Sequence, residues 1–491
     1  MAGRIWAALI IAAVVGAGAV LWTRPTPAAR PNVILITIDT LRADHLSAYG
    51  YARSTSPHLE QLAREGVLFE HAYSAANSTN PSHVSLLTGT SVATHGVQAN
   101  SNTFSADDIP TLSERLRAAG YATAAVVSVG HLNQGPSGLG RGFDRYFDTK
   151  SEQRAEQSIA LARDWIAGQH EQPFFLWLHL FDPHMVYSPP APYDAQYVNE
   201  RSPRIDVILG RQRADWFFQT QTLAGGDRAF LQEQFAAQFA DSIGINQLGL
   251  TEAEVEYLKA LYDGEVGYTD NQIGTLLDHL RKLGIADNTL LVVTADHGEA
   301  HGEHGIYCDH ATVYEETLHV PLIVRFSARI AGGKRINALV SGLDVAPTIL
   351  QYTDVPLDIT LEGHSLVRVI DGSQPPAAEP LFAAHANALG GMVRDGAWKL
   401  IVSTSAERIR RAKNEVQRKR LMKWHPKPVE LYNLESDPRE TADLAQAHPD
   451  IVQRLRGIYD ARSRHSPSPA PTREVDAAAR ERLKALGYLV E

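Results

Sequence analysis

Two short apolar runs, rich in β-branched residues, each stop on an aspartate. Val33-Ile34-Leu35-Ile36-Thr37-Ile38 ends at Asp39, and Thr289-Leu290-Leu291-Val292-Val293-Thr294-Ala295 ends at Asp296. Neither run alternates apolar with polar residues. That is the pattern of strands covered on both faces, and so of a parallel sheet sandwiched between helices. Ala122 to Val129, Phe174 to Leu180 and Val320 to Phe326 read as further strands of the same kind. Helical patterns fall between them. Ser56 caps a helix with Pro57 in its first position, Leu59, Leu62 and Ala63 on one face, and Gly66 as its stop. Leu112 to Ala119 and Ile159 to Ile166 are shorter helices. Glu252 to Leu283 is a long one, with Leu258, Leu261, Val266, Ile273, Leu276, Leu277 and Leu280 spaced for one face. The alternation predicts an α/β fold: a large, mixed, mostly parallel sheet with helices on both sides.

The chain has 491 residues, enough for one large domain and a smaller one. We expect a catalytic domain over 31–365, interrupted by an insertion at about 200–250 where charges, Gln and Phe follow no clear period. After about residue 365 the texture turns Pro-rich, then to short polar strands and a basic stretch from Arg408 to Lys423. This marks a smaller C-terminal α+β subdomain over 366–465. A linker and terminal helix then occupy 466–491. Lys+Arg 46 against Asp+Glu 56 gives a net charge of −10 with no basic block, which speaks against a nucleic-acid partner. The single cysteine, Cys308, excludes an internal disulfide. Residues 1–30 read as a membrane anchor or signal peptide with its linker. Ile5 to Trp22 carries no charge and is just long enough to span a bilayer, and Thr23 to Pro31 is polar and Pro-rich. Ala17-Gly18-Ala19 offers a small-residue cleavage site, so anchor and cleaved signal both remain open. Arg4 and Arg24 flank both ends and do not set orientation. An inner-membrane-anchored or exported protein with a periplasmic catalytic domain is the expectation.

In open parallel sheets, sites lie at the carboxyl ends of strands. Asp39, Asp296 and His297 therefore stand where a site belongs. Two carboxylates, one imidazole and a nearby hydroxyl suit one divalent cation. The hydroxyl is that of Thr79, two residues before Pro81, at the start of a helical segment whose N–H groups favour negative charge. A cation beside that hydroxyl would lower its pKa and make it a nucleophile. His184 follows the Phe174 strand. His297, His301, His304 and His310 crowd the stretch after Asp296 together with Glu299, Glu303 and Asp309. His301 and His304 read more simply as loop residues.

The segment Asn77-Ser78-Thr79-Asn80-Pro81-Ser82-His83-Val84-Ser85-Leu86-Leu87-Thr88-Gly89 resembles the active-site signature of the sulfatases, within the alkaline phosphatase superfamily. The resemblance runs from about Pro31 to Arg456. It includes Pro31 to Asp39, Ser56 to Val67, Gly142-Phe143-Asp144, Asp182-Pro183-His184, Thr294 to Gly298, Tyr314-Glu315 and Glu430 to Glu440, in the family's order. It implies an alkaline-phosphatase-like fold. It implies Asp39, Asp296 and His297 as metal ligands, with Thr79 as both ligand and nucleophile. It places His184 and His310 on the ester's oxygens, and His83 where an Arg usually supports the nucleophile.

The departures from the family pattern define a Thr-nucleophile variant. Thr40 replaces a second metal-binding Asp. Val129 and His131 lie where many sulfatases have Lys and His, so one side-chain cation is lost and His131 becomes a candidate substrate contact. His310 stands where Lys is usual. Sulfatases convert Cys or Ser into formylglycine; threonine is not a known precursor, so no formylglycine is expected. The cofactor expected is one divalent metal ion, Ca, Mg, Mn or Zn.

The expected function is hydrolysis of sulfate or phosphate esters through Thr79. The substrate would be a small-molecule, glycan or lipid anionic ester, and the membrane would be met through the N-terminal segment. Two other functions stay open on the sequence. One is a membrane-anchored phosphotransferase acting on lipid or glycan headgroups. The other is a degenerate, non-catalytic binding protein.

Overall fold

A computed structural model describes residues 30–169, 172–212, 249–404, 409–410, 427–463 and 470. Its centre is a nine-stranded sheet. Strands β1 (Asn32–Ile38), β2 (Val67–Tyr73), β3 (Ala122–Val126), β4 (Arg145–Phe147), β5 (Phe174–Leu180) and β6 (Thr289–Ala295) build it with β9 (His319–Val320), β10 (Leu322–Arg325) and β11 (Lys334–Ser341). A short ribbon, β7 (Ala300–His301) and β8 (Tyr307–Asp309), lies apart from it. The order is β11-β2-β10-β6-β1-β5-β3-β4, with β9 beside β2. β1 pairs in parallel with both β5 and β6, while β10 is antiparallel to β2 and β6. The sheet is mixed and mostly parallel, as the strand sequences predict.

The strand period of two divides β1 between two cores. Ile34, Ile36 and Ile38 face one. There they meet α1 (Pro57–Glu65) through Leu59 and Leu62, α4 (Ala155–Gln169) through Ile159 and Ile166, and α5 (Glu252–Lys282) through Leu258, Leu261 and Ile273. Val33 and Leu35 face the other. There they meet α2 (Thr79–Thr88) through Leu86 and Leu87, α3 (Leu112–Ala118) through Leu112 and Leu116, and α6 (Val345–Tyr352) through Ile349 and Leu350. All of these side chains are buried. At about 25 cal/mol per Å² of apolar surface removed from water, this double burial outweighs any local propensity.

Some bounds differ from the sequence reading. The strand expected over Ala122–Val129 ends at Val126, and a single-turn helix begins at Gly130. The strand expected over Val320–Phe326 splits into β9 and β10 around Pro321, because proline has no N–H to donate to a neighbour. The helix around Ile159–Ile166 extends over Ala155–Gln169. Most of the 200–250 insertion, the basic stretch after Arg410, the Ser466–Pro471 linker apart from Ala470 and the terminal helix lie outside the described residues, as does the Ile5–Trp22 run. Among the described residues no helix is long and apolar enough to cross a membrane.

A four-stranded antiparallel sheet follows: β12 (Leu381–Ala384), β13 (Gly390–Asp395), β14 (Trp398–Ser403) and β15 (Val429–Asn433). The helix α7 (Pro449–Ser463) covers one face, burying Leu455 against Val393, Leu400, Val402 and Leu431. The other face packs Met392, Ile401 and Tyr432 against Tyr73, Val313, Tyr314 and Leu318 of the large domain.

Candidate active site

The parallel register places Ile38 beside both Leu180 and Ala295. The residues that follow those strands therefore emerge at one sheet edge. Asp39 and Asp296 come together there, both fully buried. Asp296 Oδ1 accepts from the backbone N–H of His297 at 2.8 Å and of Thr40 at 3.3 Å. Its Oδ2, and both carboxylate oxygens of Asp39, have no hydrogen-bond partner among the described residues. Burial pushes the Asp39 carboxyl well above the usual carboxylate range. It does the same to Asp296, and the charge of Asp39 adds to it. Two buried acids with unpaired oxygens cannot both ionise without a compensating cation.

His297 completes the cluster. Its Nδ1 donates to the Gly298 carbonyl at 3.0 Å, which fixes the tautomer and leaves the Nε2 lone pair toward the acids. Nε2 lies 3.6 Å from Asp296 Oδ2, 3.8 Å from Asp39 Oδ1 and 3.5 Å from Thr79 Oγ1. Burial holds this imidazole well below its ordinary pKa, hence neutral and able to act as a ligand. Orphaned carboxylate oxygens, a neutral imidazole nitrogen and a hydroxyl are the donor set that a divalent metal requires. Asp39, Asp296 and His297 fit the ion. Gly298 is needed beside them, because a Cβ there would come within 2.2 Å of the Glu316 carbonyl oxygen.

Thr79 is the first residue of α2 and is fully buried. The expectation of open N–H groups at this helix start needs correction. Asn80 N–H already donates to Asn100 Oδ1 at 2.8 Å, and Pro81 has none to offer. Less of the helix terminus is available to an anion than the sequence suggested. His83, one turn on, holds the backbone of Thr79 rather than its hydroxyl. Its Nδ1 donates to the Thr79 carbonyl at 2.8 Å, and its Nε2 accepts from Thr37 Oγ1 at 2.9 Å. Thr37 Oγ1 in turn accepts from Trp177 Nε1 at 3.0 Å. Both ring nitrogens of His83 are thus committed, and its geometry is that of a positioning group.

His310 lies against His297, with ring centroids 4.1 Å apart and the planes tilted by 30°. Its Nδ1 donates to the Asn77 carbonyl at 2.7 Å, while Asn77 Nδ2 donates back to the His310 carbonyl at 2.9 Å. Asn77 Oδ1 also accepts from Ala386 N–H at 2.6 Å, tying the C-terminal sheet to the site. His184 lies 6.1 Å from His310, centroid to centroid, and stacks on Phe181. His131 is buried, and His179, His184, His83 and His310 are the charges that act on it. Burial lowers the pKa of all three, that of His184 to about 3.

Every site residue expected from the sequence therefore falls in one neighbourhood. His301 does not join it directly. That ring belongs to a buried network with Tyr187, Tyr262 and Arg42. His304 stacks on Tyr314 instead. Sequence reasoning missed His179. Its Nδ1 pairs with Ser128 Oγ at 2.7 Å, and its Nε2 lies 3.6 Å from Asp39 Oδ2. Its one signal was an imidazole inside the otherwise apolar run Phe174–Leu180. Asn77, the clamp on His310, was also missed.

Comparisons with known proteins identify the family and the fold. The family model described as Sulfatase matches residues 31–355. N-acetylglucosamine-6-O-sulfatase of Bacteroides thetaiotaomicron is 26% identical over 419 residues, covering 72% of this chain and 74% of its own length. Human arylsulfatase A is 28% identical over 466 residues, covering 87% of each chain. Among solved structures, a protein in complex with its substrate D-glucosamine-2-N,6-O-disulfate superposes with a TM-score of 0.66 at 21% identity. That match covers 89% of this chain and 98% of the other. The phosphonate monoester hydrolase of Agrobacterium radiobacter superposes with a TM-score of 0.64 at 19% identity, over 89% and 96%. The fold is that of these alkaline-phosphatase-like neighbours, and the chain belongs to the sulfatase family of sulfuric ester hydrolases.

Proposed function

We propose that this chain is a metal-dependent hydrolase of sulfate or phosphate esters with the Thr79 hydroxyl as nucleophile. One observation carries the reading: Thr79 Oγ1 sits 3.5 Å from His297 Nε2, beside two buried aspartates of which Asp39 Oδ1 and Oδ2 and Asp296 Oδ2 lack hydrogen-bond partners among the described residues. A bound divalent cation supplies the positive charge that offsets Asp39 and Asp296 and lowers the pKa of a nearby hydroxyl. Two carboxylates with an imidazole favour Mn or Zn over Ca or Mg. The retained donor set speaks against a non-catalytic binder.

The chain's own residues position the reactants. His83 fixes the Thr79 backbone at a fully buried position. Thr79 gives up its proton to solvent, and its Oγ then bonds to sulfur or phosphorus as the bond from that atom to the ester's C–O oxygen breaks. His184 and His310 each carry one proton on Nδ1, held by a carbonyl. The negative charge of an arriving ester raises both pKa values and favours a second proton on Nε2. His184 so charged gives that proton to the leaving oxygen, and His310 donates to a non-bridging oxygen. Water then attacks the same atom, releases the anion and returns a proton to Thr79. Formylglycine has no place here, because oxidation of a secondary alcohol such as threonine gives a ketone and not an aldehyde.

The uncharged Ile5–Trp22 run ahead of the catalytic domain supports an anchored or exported protein. The activities of the similar proteins on sulfated amino sugars and phosphonate monoesters supply the panel to be tried, together with aryl sulfates, phosphate monoesters and phosphate diesters. We expect the full-length protein to hydrolyse at least one of them. Prior treatment with a chelator should abolish that turnover, and Mn or Zn should restore it. No turnover on any member by metal-loaded protein would refute the reading.

A further inference from the structure

We propose a second divalent-cation site outside the active centre, held by His304, Glu316 and Glu440. The proposal is independent of the reaction assigned to Thr79. His304 Nε2 lies 4.0 Å from Glu316 Oε2, and the three prospective ligand atoms all fall within 4.8 Å of one another. Donors of one tetrahedral ion at about 2.0–2.2 Å stand about 3.3–3.6 Å apart, so side-chain rotations of about an ångström at the ligand atoms would close the cluster on a cation.

Glu316 is the independent sign of a ligand. The residue is only 8% exposed, and its Oε1 has no hydrogen-bond partner among the described residues. A buried carboxylate oxygen left unpaired is costly unless a cation meets it. The charges that act on Glu316 are those of Glu440, Arg42 and Glu303, two acids against one base. That one base is already engaged: Arg42 binds both oxygens of Asp44 and also Glu303. Burial, with Glu440 and Glu303 adding to it, pushes the Glu316 carboxyl up to about 8. Lys399 pairs with Glu440 Oε1 at 2.9 Å, but it shares its charge with Glu315, also at 2.9 Å. The acids of the cluster thus outnumber the bases beside them.

The three ligands come from different parts of the fold. His304 lies in the turn joining β7 and β8, within the segment between β6 and β9 that also carries His297 and His310. Glu316 precedes β9, and Glu440 follows β15 in the C-terminal subdomain. His304 holds a left-handed backbone, φ 53°, while its ring stacks on Tyr314 at 3.6 Å. One imidazole with two carboxylates suits Zn or Mn rather than Ca. A cation here would pin the loop bearing His297 and His310 to the smaller domain.

The test is a metal count. Untagged full-length protein is stripped with chelator, loaded with Zn, freed of excess by dialysis and measured by mass spectrometry of the metal. Glu316→Gln and His304→Ala should each hold one ion fewer per chain than the wild type. Asp296→Asn, which alters the active centre, should keep the ion that those variants lose. His304 is on a surface loop, so its variant decides the matter if Glu316→Gln does not fold. Equal zinc in His304→Ala and wild type, or no zinc retained by Asp296→Asn, overturns the proposal.

Discussion

Thr79→Ala is expected to lower kcat by about a thousandfold or more on whichever ester the wild type hydrolyses, as removal of a covalent nucleophile does elsewhere. KM should change little, because the ester's oxygens are assigned to histidines. Thr79→Ser keeps the oxygen and loses only a methyl, and it should retain most of the rate. The contrast matters, since alanine alone removes both the hydroxyl and some packing at a fully buried position. Steady-state kinetics on both variants, with metal content measured alongside, checks it. A Thr79→Ala protein that holds its metal and keeps wild-type turnover would remove Thr79 from the chemistry.

Lys399→Met should destabilise the fold by about 3–5 kcal/mol, the usual result of stranding a buried ion pair's partner. Lys399 is fully buried in β14. Its Nζ lies 2.9 Å from Glu315 Oε1 and 2.9 Å from Glu440 Oε1. Glu440 Oε2 also accepts from the Glu315 N–H at 2.6 Å, so the two acids are locked together. Burial pushes Glu315 up, yet Lys399 and then Arg394 outweigh it and hold that carboxyl at about 2. A depressed carboxyl stabilises the fold above its unfolded pKa, near 4.5, and loses that contribution as pH falls toward 2. Without Lys399 the sign reverses. Glu315 would lose its main counter-charge, and Glu440, which burial already pushes up to about 7 against the pull of Lys399, would rise further, so the pair would cost stability increasingly as pH climbs. The loss in urea-unfolding midpoint should therefore be larger at pH 8 than at pH 5. A midpoint unchanged at both pH values would contradict this account of how the two domains are joined.

The strand ends were legible because a continuous apolar run cut off by an aspartate needs no partner to be recognised. Asp39 and Asp296 are each one residue past such a run, and parallel pairing of Ile38 with Ala295 does the rest. Other parts depend on register or on distant contacts, which a single sequence does not display. His179 reaches Asp39 only because β5 pairs with β1 in the register that sets Thr37 opposite it. Asn100 takes the Asn80 N–H from twenty residues away. Asn77 clamps His310 across 233 positions. The end of β3 at Val126, ahead of Val127 and Val129, coincides with the end of its outer neighbour β4 at Phe147, although β5 on its other side runs on to Leu180.

The most direct test of the central claim is the stereochemical course at the atom attacked, followed with an ester made chiral by oxygen isotopes or sulfur. Attack by Thr79 and then by water is two in-line displacements, so the product should retain configuration. Inversion would mean that water attacks directly and that no ester of Thr79 is formed.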